Sequence, residues 1–179
     1  MKRRGFTIVE LIITITIMGI LLTLAVVNVN VTQAKARDDE RKGDIDSIAS
    51  AMEAFFASGT STSANFGRYP SVGITGSYTT LKNNLPDIDM KSLAAPGIAV
   101  PTDNTLPASF VVSTNTGTAP SIQTTAGVTP QPTISQYVYQ PIRSDGGVCQ
   151  STDGDCRKYN LFYRLENDNT IYRVTSKNQ

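Results

Sequence analysis

The sequence predicts an α+β chain: one long N-terminal α-helix, half of it membrane-embedded and half packed on a head, with a small C-terminal antiparallel β-sheet head. Three observations carry that class. Residues 6–31 are almost wholly apolar, and Glu10 is the only charged side chain between Arg4 and Lys35. Helical spacing then continues, with Ile45, Ile48, Met52 and Phe55 three and four residues apart. The last third is rich in β-branched and aromatic residues.

The apolar stretch comes first. From Phe6 to Val27 a helix spans about 33 Å, which matches a bilayer hydrocarbon core of roughly 30 Å. Lys2, Arg3 and Arg4 stand directly before it, and basic flanks stay on the cytoplasmic side, so the bulk of the chain is expected outside. A carboxylate at Glu10 is costly in such a segment and calls for compensation, either by snorkelling to the headgroups or by a partner.

Gly5-Phe6-Thr7-x-x-Glu10-Leu11 after a short basic leader resembles the class III signal of type IV pilins and their pseudopilin relatives. The resemblance implies that a prepilin peptidase cuts between Gly5 and Phe6 and methylates the new amino group of Phe6. It also implies that Glu10 pairs during assembly with the N-terminal amine of a neighbouring subunit, which fits the need of a buried charge for a partner. Gly5 suits the cut, because a residue without a side chain lets a protease approach the backbone. An ordinary secretory signal has an apolar region of about 7 to 15 residues, too short for this run, although Ala34-Lys35-Ala36 mimics its cleavage site. An uncleaved signal anchor shares every feature except the Gly5-Phe6-x-x-x-Glu10 register.

The domain organisation expected is therefore a removed leader (residues 1–5), a transmembrane or filament-core half-helix (6–31), a head-packed half-helix (32–58) and a β-rich head with Thr/Ser-rich loops (59–179). The helix would stop near Ser58-Gly59, with Gly59 in the left-handed cap conformation, after roughly 53 residues or about 80 Å. Charged pairs at helical spacing, such as Asp38 with Lys42 and Arg37 with Glu40, read as a solvated face without function, as do Asp44 and Glu53. The resemblance extends through Asp44-Ile45 and Phe55-Phe56 to Gly67-Arg68-Tyr69-Pro70, where Tyr69-Pro70 would close the helix-to-head junction. Many family members carry a proline near the outer end of the apolar stretch; here Val26-Val27-Asn28 stand there, which leaves helix-breaking to Gly19, Asn28 and Asn30.

Residues 71–135 read as loop and weak strand, with apolar patches at Ile98-Ala99-Val100 and Phe110-Val111-Val112. After them the strand candidates are Gln136 to Tyr139, Tyr159 to Leu165 and Ile171 to Val174. Glu166-Asn167-Asp168-Asn169 is the turn of a hairpin, and Tyr159, Leu161, Tyr163 and Leu165 lie on the face that covers the helix. Tyrosines alternating along a strand read as core with a hydrogen-bonded tip rather than as a sugar platform.

Composition excludes more than it assigns. The chain has no histidine, which removes imidazole metal sites and histidine catalysis, and no enzymatic activity is expected. Cys149 and Cys156, the only cysteines and seven positions apart, read as a disulfide on an exported head. Asp145, Asp153 and Asp155 beside them are calcium-ligand candidates, although solvated turn residues are the simpler reading, and no other metal or cofactor is expected. Once Lys2, Arg3 and Arg4 are taken away, the 16 basic side chains fall to 13 against 15 acidic ones, so nucleic acid is not an expected partner unless folding assembles a basic patch.

The function that follows is a structural subunit of a type IV pilus-like filament, lifted from the cytoplasmic (inner) membrane, where the single-pass precursor holds its head outside, to a surface pilus. Its expected partners are other copies of itself, minor pilins, the prepilin peptidase, and the assembly platform with its ATPase. A pseudopilin of a type II secretion or DNA-uptake machine is the alternative, and a membrane-anchored surface protein that never polymerises is a weaker one.

Overall fold

A computed structural model of the chain describes residues 5–58, 66–113, 128–150 and 155–178. Lys2 to Arg4, Gly59 with the serines and threonines after it, residues 114–127 and Asp153 lie outside these.

Helix α1 (Ile8–Ser58) is one continuous element of 51 residues. It carries two different surfaces. Up to Val31 every large apolar side chain described is more than half exposed, whereas Ile45, Ile48 and Met52 are at 0–1 % exposure. Packing against the head begins near Arg37, five residues later than the expected boundary at residue 32.

The 3-10 turn Val72–Gly76 and the short helices α2 (Tyr78–Asn84) and α3 (Met90–Leu93) follow, where the sequence suggested only loop and weak strand. Their caps explain them. The Ser77 hydroxyl accepts the Thr80 N–H at 3.2 Å, and the Asp89 carboxylate accepts the Lys91 N–H at 3.3 Å. Leu81, Leu85, Ile88 and Leu93 then drop into the core beside α1. The Ile98 patch forms no strand but packs on that core.

The sheet has four strands in the order β1 (Phe110–Val112), β2 (Tyr137–Arg143), β3 (Cys156–Arg164) and β4 (Ile171–Thr175). β2, β3 and β4 run antiparallel, as expected, but β1 pairs parallel to β2. Tyr159, Leu161, Tyr163 and Leu165 point to α1 and join one core with Ile45, Ile48, Met52 and Phe55. On the other side of the sheet, Val138 and Phe162 pack with Val128 in a second small cluster, flanked by Ile171.

The core tyrosines are tied at their tips. Tyr137 donates to Asp44 at 2.8 Å, Tyr139 to the Pro70 carbonyl at 2.6 Å, and Tyr159 to Glu53 at 3.2 Å. Each phenol thus buries its ring and keeps its hydroxyl bonded.

Candidate assembly site

The N-terminal end of α1 is built from a local motif. The Glu10 N–H donates to the Thr7 hydroxyl oxygen at 3.2 Å, while the Thr7 N–H and hydroxyl donate to Glu10 Oε2 at 3.4 and 3.2 Å. Leu11 N–H bonds the Thr7 carbonyl at 3.2 Å, so Thr7 is the N-cap and Glu10 the third helical residue, the arrangement of a capping box. The signal Thr7-x-x-Glu10 was present in the sequence, and a local role for this carboxylate lies beside the intermolecular one expected of it. Gly5 and Phe6 precede the helix in exposed chain outside any helix or strand, with Phe6 at 81 % exposure. The bond between them is therefore accessible to another protein.

Beyond the cap, α1 is long and apolar enough to cross a membrane by length and composition. Its threonines do not oppose this. Thr14, Thr16 and Thr23 turn their hydroxyls back onto the carbonyls of Leu11, Ile12 and Ile20 at 2.7–2.8 Å, which satisfies the donors within the helix.

The foot of the head is pinned to α1 by a charged network that corrects the expected solvated face. Arg41 is 2 % exposed. It donates to Asp38 at 2.8 Å, to the Ile134 carbonyl at 2.9 Å and to Glu166 at 3.5 Å. Asp38 in turn accepts the backbone N–H groups of Glu166 and Asn167 at 2.7 and 2.9 Å, so the β3–β4 turn is seated on its carboxylate. Arg37 grips Glu166 with both prongs, at 2.9 and 2.6 Å, which holds that carboxyl below the usual range. Only Lys42 keeps the surface pairing anticipated for this stretch, now with Asp39 at 3.6 Å, while Glu40 reaches Lys91. The periodicity held the signal: Asp38, Arg41, Ile45, Ile48, Met52 and Phe55 continue one helical face at spacings of three and four.

Asp44 and Glu53, also expected on outer faces, are structural. Burial pushes the Asp44 carboxyl up to about 6, against the Tyr137 hydrogen bond and the nearby Lys91 that favour its charged form. Glu53 accepts from the Tyr69 and Tyr159 hydroxyls, the Lys177 N–H and the Asn178 amide at 2.9–3.2 Å. It fastens the C-terminal end of the chain to the top of α1.

The junction behaves as expected of Tyr69-Pro70. Tyr69 is buried, its ring lies 4.8 Å from Phe56 and 4.9 Å from Tyr159, and its N–H bonds the Cys156 carbonyl at 2.8 Å. Gly67 takes a left-handed φ of +65° that turns the chain there, and its carbonyl accepts from Arg157 at 2.9 Å.

Cys149 and Cys156 form the expected disulfide, with Cα atoms 5.5 Å apart. Of the calcium-ligand candidates beside it, Asp153 is not among the described residues. Asp145 receives the Gly147 N–H and the Arg143 guanidinium, and Asp155 the Ser144 hydroxyl and the Arg157 guanidinium; both carboxyls are held below the usual range. Each already faces a cation, and no group of three or more His, Cys, Asp or Glu among the described residues is placed to hold a metal ion.

Comparison with known proteins decides what the N-terminus is. Residues 1–26 match the family model described as the prokaryotic N-terminal methylation motif. The chain carries a prokaryotic N-terminal methylation motif. It is also similar to the type IV major pilin protein PilA of Myxococcus xanthus (strain DK1622), at 36 % identity over 56 residues, or 31 % of this chain. That match spans about a quarter (26 %) of the relative's length. No solved structure matches the chain. The methylation motif is thus joined here to a long helix followed by a small, mostly antiparallel sheet.

Proposed function

We propose that this chain is a structural subunit of a type IV pilus-like filament. The observation that carries the reading is the division of α1: an exposed apolar half headed by the methylation motif, continuous with a half locked into a folded head. An apolar surface of that size needs cover, first from the bilayer and then from the same surface of neighbouring copies. In this reading the prepilin peptidase cuts between Gly5 and Phe6, Phe6 is methylated, and residues 6–31 pass from the cytoplasmic membrane into the filament core with the head outside. The subunit does no chemistry; an assembly platform and its ATPase lift it, and minor pilins join the same filament.

Glu10 then serves twice. It caps its own helix, and in the filament its charge faces the amine of a neighbouring Phe6. The two roles separate by substitution, because Gln at the third helical position still completes a capping box without the charge. Glu10→Gln and Glu10→Ala should both be processed and exported normally, yet both should be missing from surface filaments. Normal incorporation of the Gln variant would remove the charge role.

The deciding experiment is mass spectrometry of the N-terminus, on protein sheared from the surface and on protein left in the membrane. Methylated Phe6 in abundant sheared material is the expected result. Methylated Phe6 confined to the membrane fraction would make the chain a pseudopilin of a secretion or DNA-uptake machine, and an intact Met1 in both would overturn the reading.

A further inference from the structure

We propose that the free edge of β4 is a strand-addition site, which takes an extended acidic segment of another protein as a fifth strand of the sheet. The inference goes beyond the filament reading and needs no filament for its test.

The edge follows from the register of the hairpin. Residues of β3 and β4 pair from Asn160 with Thr175 to Arg164 with Ile171. The Ser176 N–H bonds the Tyr159 carbonyl at 3.1 Å, and the Leu165 N–H bonds the Thr170 carbonyl at 3.0 Å. Hydrogen-bonded pairs alternate along an antiparallel ladder, so Tyr172 and Val174 are the β4 residues bonded to β3 between those two. The N–H and C=O groups of Ile171, Arg173 and Thr175 therefore point away from the sheet. β4 is its last strand, and among the described residues none of these backbone groups has a partner.

Sheets commonly blunt such an edge, and the opposite one here is blunted. β1 is three residues long, and its Phe110 N–H is taken by the Pro107 carbonyl at 3.0 Å. β4 has five residues, no proline and an unbroken register with β3. Only Arg173 at its centre guards it.

That arginine also decides what can enter. If β4 met β4 of another copy antiparallel over its full length, Ile171 would face Thr175 and Arg173 would face Arg173, and like charges directly opposite are destabilising. The same residue favours a carboxylate. Arg173 and Arg164, its diagonal neighbour across the hairpin, lie on the outer side of the sheet with Phe162. Neither has an ion-pair partner among the described residues, and Arg164 Nε is buried without an acceptor. An incoming residue bonded to Arg173 places its own side chain on that side, with about 5.5 Å between the two Cα atoms, within reach of both guanidinium groups. Its neighbours in the segment turn to the helix side, beside Tyr172, which is 38 % exposed, and Val174, which packs on the core. The matching segment thus alternates, with an acid at its centre and an apolar residue on either side. Backbone bonds hold it, and these side chains select it.

The test uses the full-length chain in detergent and the end-blocked peptide Thr-Val-Thr-Val-Glu-Val-Thr-Val-Thr, with hydrogen exchange read at single amides. Without peptide, the amides of Ile171, Arg173 and Thr175 should exchange faster than those of Tyr172, Val174 and Ser176. With peptide, the first three should slow about tenfold or more, and the same peptide with Lys in place of Glu should bind about tenfold more weakly. Arg173→Glu, which touches no bond to β3, should reverse that preference. Absence of protection at those three amides overturns the site, and equal binding of the two peptides overturns the acidic occupant. Protection that rises with protein concentration and needs no peptide would give the edge to a second copy and overturn the proposal as well.

Discussion

The two halves of α1 share one backbone geometry and opposite solvation. Before Val31 the helix shows its apolar side chains on all sides, with Ile12, Ile13 and Ile17 at 52–53 % exposure. After Arg37 it shows one apolar face to the sheet and buries Ile48 and Met52 completely. An isolated helix gains little from propensity alone, so each half depends on what covers it. The second half is covered from within the molecule, by the sheet and by α3. The first must be covered from outside, by lipid or by other helices, and the difference separates folding of the head from assembly.

Changes to the head-packed half should therefore move folding, and the largest effect is expected at Arg41. Arg41→Ala leaves the buried Asp38 carboxylate without its cation, while Glu166 keeps Arg37, and breaking a buried pair by removing one partner costs about 3–5 kcal/mol. Denaturant unfolding of the full-length protein in detergent should show it. A change below that of a surface substitution would mean that water re-enters the foot freely. Removing the disulfide with Cys149→Ser and Cys156→Ser should cost less, about 2–3 kcal/mol for a loop this short. The loss should concentrate at the junction, where Tyr69 N–H bonds the Cys156 carbonyl and Val72 N–H the Cys149 carbonyl, and hydrogen exchange at those two amides would report it.

A smaller effect is written in pH. Asp44 binds its proton more tightly in the folded chain, with a value of about 6 against 3.8 unperturbed. Between those values the folded state holds more protons than the unfolded one, so this group's contribution to stability falls as pH rises across the window and is level above it. Glu166 acts in the opposite sense: its value is lowered, so its contribution is present above the unfolded value and lost as pH falls. Asp44→Asn should hence gain stability relative to the parent as pH rises from 4 to 7, measured by denaturant titration at each pH. A parallel pair of curves would remove Asp44 as the cause. Smallest of all, Ile17→Ala should leave the head's unfolding midpoint where it was, since Ile17 touches no part of the head's core. A shifted midpoint would break the division between the two halves.

What the sequence made legible follows the same division. The helix, its core-facing residues, the C-terminal hairpin and the disulfide were readable because each rests on spacing within a short stretch. The foot was misread because Asp38 and Arg41 look like any surface pair until the turn at Glu166 and Asn167, far along the chain, closes over them. Strand β1 was visible as Phe110-Val111-Val112, but its parallel pairing with β2 depends on a partner that no local pattern names. The Thr7-Glu10 capping box went unread for another reason: the same carboxylate fitted a stronger pattern, and one role hid the other.

The pins on α1 also set how the head carries load. Hairpin β3–β4 is fastened at its turn by Arg37, Asp38 and Arg41 and at its open end by Glu53, attachments that lie about 18–24 Å apart along the helix axis. A pull along α1 reaches both attachments together and loads the strands lengthwise, in shear, instead of unzipping them from one end. A head riveted to its shaft at two heights resists towing better than one hung from a single hinge.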